Sequence, residues 1–249
     1  MSERGDESDV HRWGTDPDFQ GPRHDLRESL LLTEFLRASP GPAVLDVGAG
    51  SGTFSNRLLE LGFEVTSTDV TDEALEVLRA RVSGPVARAD ATSLPFSTSS
   101  FDAVVLAEVL EHVEDDGAAL MEAARVVRPN GILGVTVPRN PAWFSGSDRW
   151  AGHFRRYTRE QLEQRVAVAG FGILTCKAWG FPVSALYHRT VFERIVARRG
   201  SVPTGPARAG KGLLSALLRV DRSFVGHERG ALGYLLVARR DRGEGPNGE

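Results

Sequence analysis

The residues best suited to chemistry lie in one short run, Ala43–Gly52, where apolar residues lead to Asp46 and then to Gly48, Gly50 and Gly52. The apolar start predicts a buried parallel strand. Glycine at every second position predicts a tight turn, because a Cβ atom would block a close ligand or forbid a positive φ. A helix is predicted next, so its free backbone N–H groups would face the turn. Strand, glycine turn and helix together are the general plan of a site for a nucleotide-like cofactor.

The spacing of the glycines separates several kinds of cofactor site. A dinucleotide site has the pattern G-x-G-x-x-G, with its third glycine at the helix start, whereas this run has the pattern D-x-G-x-G-x-G. A phosphate-binding P-loop ends in Gly-Lys-Ser or Gly-Lys-Thr, and no lysine follows Gly52. The remaining alternative is a glycine turn with a purely structural role.

Carboxylates follow each of the next predicted strands. Asp69 ends the second predicted strand, Asp90 lies near the end of the third, and Glu108 follows the fourth. An ionised aspartate at a strand end can accept two hydrogen bonds from a ribose diol. The run Arg128–Gly131 predicts a turn before a fifth buried strand, because proline fixes φ and glycine accepts the reversed one.

In their order over residues 44–138, these motifs resemble those of class I S-adenosylmethionine (SAM) dependent methyltransferases. The resemblance is strongest to the small-molecule group that includes ubiquinone-biosynthesis and natural-product methyltransferases. It implies SAM as cofactor, with Asp90 and the N–H of Ala91 at the adenine and Glu108 beneath the methionine part. The cofactor-binding residues that it implies are Asp46, Gly48, Ala49, Gly50, Gly52, Asp69, Val70, Asp90, Ala91 and Glu108.

Strands and helices alternate along the chain, which favours a parallel sheet. We expect an α/β fold: a Rossmann-like, seven-stranded, mostly parallel sheet with helices on both faces and a last antiparallel strand. About 50 residues separate the last two predicted strands, where the resembling family has a close hairpin, so we predict a helical insertion at 182–228. The predicted organisation is a disordered tail at 1–20, a methyltransferase domain at 21–240 and a flexible tail at 241–249.

The segment 138–158 follows the fifth strand and is rich in glycine, proline and aromatic residues, so we predict that it faces the acceptor. His153 and His112 are the candidate general bases, because histidine titrates near neutral pH. The predicted acceptor-binding residues are Trp143, Trp150, Arg156 and Tyr157. The alternatives are that His153 and Arg156 only pin the loop, that His112 only packs beneath SAM, and that the tryptophans only cap the core.

The charge of the chain is unevenly distributed. The 249 residues carry a net charge of −3, yet from Gly170 onward 13 Lys and Arg face 6 Asp and Glu. Basic amphipathic helices are predicted over 183–199 and 213–224. Such helices bind anionic membranes, or they pack on the core or on a second subunit. Peripheral contact with the inner face of the membrane and a homodimer are therefore the partner predictions.

The single cysteine, Cys176, excludes a disulfide within the chain and is predicted to be a buried, unreactive thiol in a reducing cytoplasm. We predict no metal site, because no cluster of metal ligands is visible in the sequence. The acidic, polar start resembles no secretory signal, and no run of about 18 apolar residues is present. The predicted location is cytoplasmic.

Methyl transfer from a sulfonium needs alignment above all, and a base only where the acceptor carries a proton. We predict transfer to a small molecule, with O-methylation of a quinone-like, lipid-linked or glycan-type acceptor favoured. The alternatives are N- or C-methylation of a soluble metabolite, and a SAM-binding protein without transfer activity. A nucleic-acid acceptor is disfavoured, because Ala107–Leu110 lacks the Pro-Pro-aromatic or Pro-Cys motif of those enzymes. The glycine spacing disfavours a dehydrogenase.

Overall fold

The computed structural model describes residues 22–194 and 211–242. Within these ranges the chain alternates between strands and helices and builds one seven-stranded sheet. The helices are α1 Pro22–Arg37, α2 Thr53–Glu60, α3 Asp72–Arg81, α4 Asp116–Val126, α5 Gly146–Ala151, α6 Arg159–Val168, α7 Val183–Tyr187 and α8 Lys211–Arg222. The strands are β1 Ala43–Val47, β2 Glu64–Asp69, β3 Val86–Arg88, β4 Phe101–Ala107, β5 Val127–Pro138, β6 Phe171–Trp179 and β7 Gly233–Arg240.

The strand order is β3-β2-β1-β4-β5-β7-β6. The first five strands in this order pair in parallel, and β7 runs antiparallel to both β5 and β6. The predicted fold class is therefore confirmed. The order reverses between β1 and β4, and in open α/β sheets ligands bind beyond the carboxyl ends of the strands at such a point.

Apolar side chains cover both faces of the sheet. On one face, Leu31 and Phe35 of α1 and Leu58 of α2 pack over Val105 and Ile132. On the other face, α4 and α6 pack over the same strands through Leu120 and Leu162. Two buried layers on one sheet hold the strand ends in fixed positions, and these ends carry the candidate site.

The turn predicted at Arg128–Gly131 takes a different form. The stretch lies inside β5, where the pairing with β4 shifts register and leaves a bulge. The positive φ falls on Asn130, at 63°, and not on Gly131. Gly131 is required for a different reason, because an added Cβ atom would lie 2.6 Å from the carbonyl oxygen of Asp102. Our assignment of the reversed φ to the glycine was wrong.

Two local predictions can be compared directly with the structure. Thr158 and Gln161 form the predicted capping box at the start of α6, since each side chain accepts a hydrogen bond from the other's backbone N–H. The helix predicted from Val183 is instead the short α7 followed by a π-helical turn, His188–Phe192. The rest of that predicted helix, from 195 on, lies outside the described residues.

The chain between β6 and β7 contains α7, the π-helical turn and α8 within the described ranges. Asp221 of α8 accepts hydrogen bonds from the N–H groups of Val183 and Ser184, at 2.7 and 2.9 Å, and so caps α7. The predicted tails, apart from 241–242, lie outside the described residues, and the division into tails, domain and insertion stays a prediction. No helix in residues 22–194 or 211–242 is long and apolar enough to cross a bilayer.

Cys176 lies half-buried on β6. Burial raises the pKa of its thiol to about 12 against the opposing effect of Arg159. The thiol therefore stays protonated at neutral pH, which agrees with the expectation of an unreactive cysteine.

Candidate functional site

The glycine run connects β1 to α2 at the carboxyl edge of the sheet. Gly48, Gly50 and Gly52 all have positive φ, at 65°, 55° and 75°. A Cβ atom on Gly48 would lie 2.7 Å from Val109 Cγ2, and one on Gly52 would lie 2.4 Å from Val82 Cγ2. The loop therefore needs glycine for its backbone conformation and for the close approach of neighbouring side chains. It ends at the N-terminus of α2, where no side chain caps the helix.

Asp46 lies beneath this loop rather than at its surface. Its carboxylate is 2% exposed and accepts a hydrogen bond of 2.6 Å from the Ser55 hydroxyl, which in turn accepts one of 2.8 Å from Ser67. Burial raises the pKa of Asp46 to about 7, with the charges of Glu28 and Asp69 adding to the effect. In this structure Asp46 braces the start of α2, while its predicted contact with the cofactor stays a prediction.

Asp69 ties the glycine loop to β2. One carboxylate oxygen accepts the N–H of Gly50 at 3.1 Å, and the other accepts the N–H and the hydroxyl of Thr71, each at 3.1 Å. The group remains half-buried at the strand end, and an ionised carboxylate has about four acceptor positions. Acceptor capacity is therefore left for the diol that the sequence predicts at Asp69.

The predicted adenine residues lie one strand further along the same edge. Asp90 is exposed and accepts the N–H and the hydroxyl of Thr92, both at 2.8 Å, whereas Ala91 is buried. The side chain of Val70 is exposed beside them. Because β2 and β3 are parallel neighbours, Asp69 and Asp90 lie at adjacent strand ends. The structure thus brings the predicted ribose and adenine residues together.

Helix α1 covers the next part of this edge. His24 Nε2 lies 3.0 Å from the Thr53 hydroxyl at the start of α2, and Arg27 makes an ion pair of 3.3 Å with Glu108. Glu108 has a positive φ of 57° and donates its N–H to the carbonyl of Thr136. Helix α1 therefore contacts both the start of α2, directly after the glycine loop, and Glu108.

Several buried polar atoms around Glu108 lack a hydrogen-bond partner among the described residues. They are Arg27 Nε, Glu108 Oε1, Thr136 Oγ1 and both carboxylate oxygens of Glu111. Burial and the charge of Glu108 raise the pKa of Glu111 well above its usual range. Unpaired buried polar groups are costly. A bound group with both cationic and anionic parts, such as an amino acid, would satisfy atoms of this kind.

The two candidate bases lie side by side. The rings of His112 and His153 meet edge to face, with centroids 4.6 Å apart. The N–H of Phe154 donates to the carbonyl of Glu111 at 2.7 Å, which holds the His153 loop against the 3-10 turn Leu110–His112 that follows β4. The sequence placed these histidines 41 positions apart, and only the fold shows that they form one group.

This group also bears on metal binding, for which the sequence predicted no site. Potential ligand atoms of Glu111, His112 and His153 all lie within 4.8 Å of one another. This is about the spacing at which three side chains can share a divalent cation. The three side chains are therefore close enough to bind one cation together. Activity measurements on this protein need a control with a chelator.

The predicted acceptor-binding residues occupy different environments. Trp143 lies half-buried between the guanidinium groups of Arg139 and Arg189, 5.5 and 3.8 Å from the ring centroid. Trp150 is half-buried on α5. Tyr157 is 1% exposed and donates its hydroxyl to Asp116 at 2.8 Å, so this residue anchors its loop. Its predicted contact with the acceptor stays a prediction.

Arg156 is also buried, and its Nε donates to both oxygens of Asp148 at 2.8 and 2.9 Å. A cavity of about 380 Å³ lies beside it and is lined by residues that include Phe144, Phe154 and Tyr157. The segment between Pro138 and Thr158 therefore offers apolar rings and buried charge together.

Sequence reasoning missed three residues of this region: Arg27, Glu111 and Asp148. Arg27 is one turn from the start of an amphipathic helix and gave no signal of its own. Glu111 precedes His112, and Asp148 precedes His153 by five residues. A carboxylate near each candidate base was the available signal, but only the fold shows that both carboxylates are buried.

The chain is similar in sequence to known methyltransferases. Residues 45–135 match the family described as a methyltransferase domain. Demethylmenaquinone methyltransferase of Beutenbergia cavernae is 42% identical over 109 residues, which are 43% of this chain and 45% of that protein. Ubiquinone biosynthesis O-methyltransferase of Xanthomonas campestris is 35% identical over 147 residues, 55% of this chain and 60% of that protein. The matches thus span about half the length of these curated relatives.

Solved structures share the fold over more of the chain. The [4+2]-cyclase SpnF superposes with a TM-score of 0.64 at 26% identity, covering 88% of this chain and 82% of that one. Phosphoethanolamine N-methyltransferase 2 of Haemonchus contortus, in complex with S-adenosyl-L-methionine, has a TM-score of 0.63 at 17% identity. That match covers 94% of this chain and 57% of that one, and it shows the fold alone.

Replacing Asp46 with Asn should change how stability depends on pH. A carboxyl group with a pKa near 7 when folded and near 4 when unfolded binds a proton only in the folded state between those values, so wild-type stability falls as pH rises from about 4 to 7. Over this pH range the ionisation of Asp46 lowers the free energy of unfolding by an amount on the order of 4 kcal/mol. Asp46→Asn should not show this decrease. Urea unfolding at pH 4.5 and 7.5 measures the difference. Glu73→Gln, an exposed carboxylate, is the control, and an identical pH response in wild type and Asp46→Asn would contradict the assignment.

Replacing Asp69 with Asn should weaken SAM binding by roughly 10- to 100-fold, because hydrogen bonds to a charged acceptor contribute about 1.5–3 kcal/mol. Isothermal titration with SAM gives the dissociation constant. Asp72→Asn, three residues on and exposed, is the matched control and should bind SAM as wild type does. Equal affinity of Asp69→Asn and wild type would remove Asp69 from the ribose site.

Proposed function

We propose that this chain, in which residues 45–135 form a class I methyltransferase domain with SAM as its cofactor, transfers the SAM methyl group to a small-molecule acceptor. The observation that carries the proposal is the loop of three left-handed glycines tied to Asp69. This loop lies at the same sheet edge as Asp90 and Glu108. The division of the chain into tails, domain and insertion belongs to the same proposal.

Residues along this sheet edge supply a candidate partner for each part of the cofactor. Asp69 would hold the ribose, and Asp90 and the N–H of Ala91 would hold the adenine. Around the methionine part, the unpartnered Arg27 Nε matches a carboxylate, and Glu108 matches an ammonium group. Val70, Gly48, Ala49, Gly50 and Gly52 would line the space between, as the resemblance predicts.

When bound, SAM supplies a methyl carbon attached to a positively charged sulfur, which is already an activated leaving group. The protein therefore has to align the acceptor with that carbon and sulfur, and proximity and orientation supply most of the catalysis. The buried strand ends give the rigid frame for this alignment. Arg27 on α1 and the loop from Pro138 to Thr158 would exclude water from the methyl carbon.

The acceptor that we propose is quinone-like, lipid-linked or glycan-type, and the methylated atom is an oxygen. Support comes from the two relatives named for menaquinone and ubiquinone chemistry. Trp143 and Phe144 are half-buried, and Phe144 offers apolar ring surface to the cavity beside Arg156. N- or C-methylation of a soluble metabolite is the alternative, and Trp150, Arg156 and Tyr157 would then shape a more polar site.

A second candidate function is SAM binding without methyl transfer. One observation favours it: the structural neighbour SpnF, at 26% identity, is a [4+2]-cyclase by its name. A protein with this fold and this level of sequence identity can therefore catalyse a reaction other than methyl transfer. The two candidates differ in one product, because only methyl transfer forms S-adenosylhomocysteine.

We also propose that the helices between β6 and β7 meet an anionic membrane surface. Leu186 of α7 is 66% exposed, and Leu217 and Val220 of α8 are about half exposed. Arg189 and Arg219 are exposed near them in sequence. Apolar side chains flanked by arginines suit anionic lipid headgroups. A cytoplasmic location at the inner face of the membrane and a homodimer remain predictions.

Incubation of the purified protein with methyl-labelled SAM and host-cell extract should form S-adenosylhomocysteine and place the label in the organic phase. Asp69→Asn is the control for transfer that depends on the cofactor site. Label confined to the aqueous phase would favour a soluble metabolite or sugar. No S-adenosylhomocysteine with extract or with simple phenols would favour SAM binding without transfer.

Binding to vesicles containing phosphatidylglycerol should exceed binding to pure phosphatidylcholine vesicles. The double variant Leu186→Asp, Leu217→Asp should lose at least about fivefold of that binding, because it adds two charges where apolar side chains would enter the interface. Val168→Asp on α6 is the control, because Val168 is 76% exposed and lies outside the chain between β6 and β7. Co-sedimentation gives the bound fraction, and equal losses in both variants would contradict this surface.

A further inference from the structure

A buried carboxylate that no sequence motif assigned, Asp148, lies between His153 and Arg156. It is 1% exposed and its Oδ1 is 2.8 Å from His153 Nδ1. Arg156 Nε donates to both of its oxygens. The N–H and the hydroxyl of Ser145 donate to Oδ2, at 2.8 and 3.1 Å. Every part of this carboxylate is therefore engaged by hydrogen-bond donors.

The local sequence explains why these groups meet. Ser145 and Asp148 form a capping box at the start of α5, which turns the Asp148 side chain back toward the helix N-terminus. Gly152 ends α5 with φ at 74°, and the chain then folds back so that the N–H of His153 reaches the carbonyl of Asp148 at 2.9 Å. Helix start and helix end thus place the carboxylate against the histidine ring.

The charge state of Asp148 decides the tautomer of His153. Arg156 Nε donates to both oxygens of Asp148, and Ser145 donates to Oδ2, which is how donors surround an ionised carboxylate. An ionised carboxylate only accepts hydrogen bonds. The proton in this contact therefore belongs to His153 Nδ1, and a neutral His153 ring has its free lone pair on Nε2.

The position of His153 fits a role at the reacting centre. Its side chain is 15% exposed, so the ring is shielded but reachable. It lies against His112, in the segment that follows β4, and a carboxylate oxygen of Glu111 is within 4.8 Å. Asp148 gives His153 a buried carboxylate at its Nδ1.

The start of helix α5 also contacts the segment after the π-helical turn. Glu193, just beyond the π-helical turn, accepts a hydrogen bond of 2.5 Å from the Ser147 hydroxyl, and its Oε1 lies 2.9 Å from the Ser145 hydroxyl oxygen. Ser147 does not contact Asp148 and reaches it only through the Ser145 hydroxyl, 3.0 Å away. A variant at Ser147 therefore removes one contact of α5 while it keeps the side chains of Asp148, His153 and Arg156.

We propose that Asp148 is a positioning residue that fixes His153 in the tautomer with a free Nε2, so that His153 takes the proton of a hydroxyl acceptor. The inference rests on the proposed methyl transfer and narrows the acceptor to one with an O–H group. As the hydroxyl oxygen bonds to the methyl carbon, the methyl–sulfur bond breaks and the sulfur leaves with the bonding pair. The hydroxyl proton passes to His153 Nε2 and is later released to solvent.

The test measures the tautomer directly, by ¹⁵N NMR of ¹⁵N-histidine-labelled protein at one pH with a chelator present. His153→Gln assigns the resonances. Wild-type His153 should be protonated at Nδ1 and unprotonated at Nε2. In Asp148→Asn the new amide N–H would donate to Nδ1, so the proton should move to Nε2. A wild-type ring protonated at Nε2 would overturn the proposal without any variant.

Kinetics of the same proteins separate positioning from simple loop support. Asp148→Asn should lower kcat by roughly 100-fold or more, since a base in the wrong tautomer loses the 10²–10⁴ that proton transfer contributes. Its KM for SAM should stay within about twofold of wild type. Ser147→Ala should keep both the tautomer and kcat near wild type. A fall in kcat without a tautomer change, or the reverse, would contradict the inference.

The two proposals fail in different ways. If wild type forms no S-adenosylhomocysteine with any acceptor, methyl transfer is wrong, and the tautomer measurement still describes the Asp148–His153 pair. If wild type transfers methyl groups but Asp148→Asn does so equally well, the positioning role is wrong and methyl transfer stands. Asp148→Glu should recover part of kcat, because it restores an ionised acceptor at His153 Nδ1.

Discussion

The tight turn between β1 and α2 is the constraint on which the rest of the site depends. Three glycines take left-handed conformations within five residues, and side chains of Val109 and Val82 fill the space that Cβ atoms would need. Asp69 accepts the Gly50 N–H from the next strand, and Asp46 holds the start of α2 from below. The loop is thus fixed by both neighbours before any ligand is present.

Polar contacts connect several segments along the sheet edge at which the glycine loop lies. Helix α1 reaches Glu108 through Arg27, and Arg23 reaches His188 of the π-helical turn at 2.9 Å. Glu193 continues this line of contacts to Ser145 and Ser147 on α5. Segments far apart in the chain therefore meet over one edge, and their contacts are charged or hydrogen-bonded rather than apolar. Such contacts fix direction more strictly than apolar packing does.

The contrast between Asp46 and Asp148 shows how environment divides the roles of similar side chains. Both carboxylates are almost fully buried. Asp46 meets one hydroxyl and two nearby acidic charges, so burial raises its pKa to about 7. Asp148 meets Arg156, His153 and Ser145, and these donors hold its pKa well below its usual range. Asp46 therefore takes up a proton near neutral pH, whereas Asp148 stays ionised. Enzyme sites commonly contain pairs of carboxyl groups that differ in this way.

The sequence by itself determined the order of the strands along the chain, the glycine turn, the capping box at Thr158 and the cofactor family, because these depend on local spacing and backbone conformation. Their signals lie within a few residues of one another, as at Gly48–Gly52. It did not determine that the positive φ near Pro129 falls on Asn130, since the bulge there arises from pairing with β4. Nor did it show Tyr157 donating to Asp116, or His112 beside His153. The tertiary structure alone decided these contacts and the charge of Asp148, because they depend on burial and on neighbours brought together from distant parts of the chain.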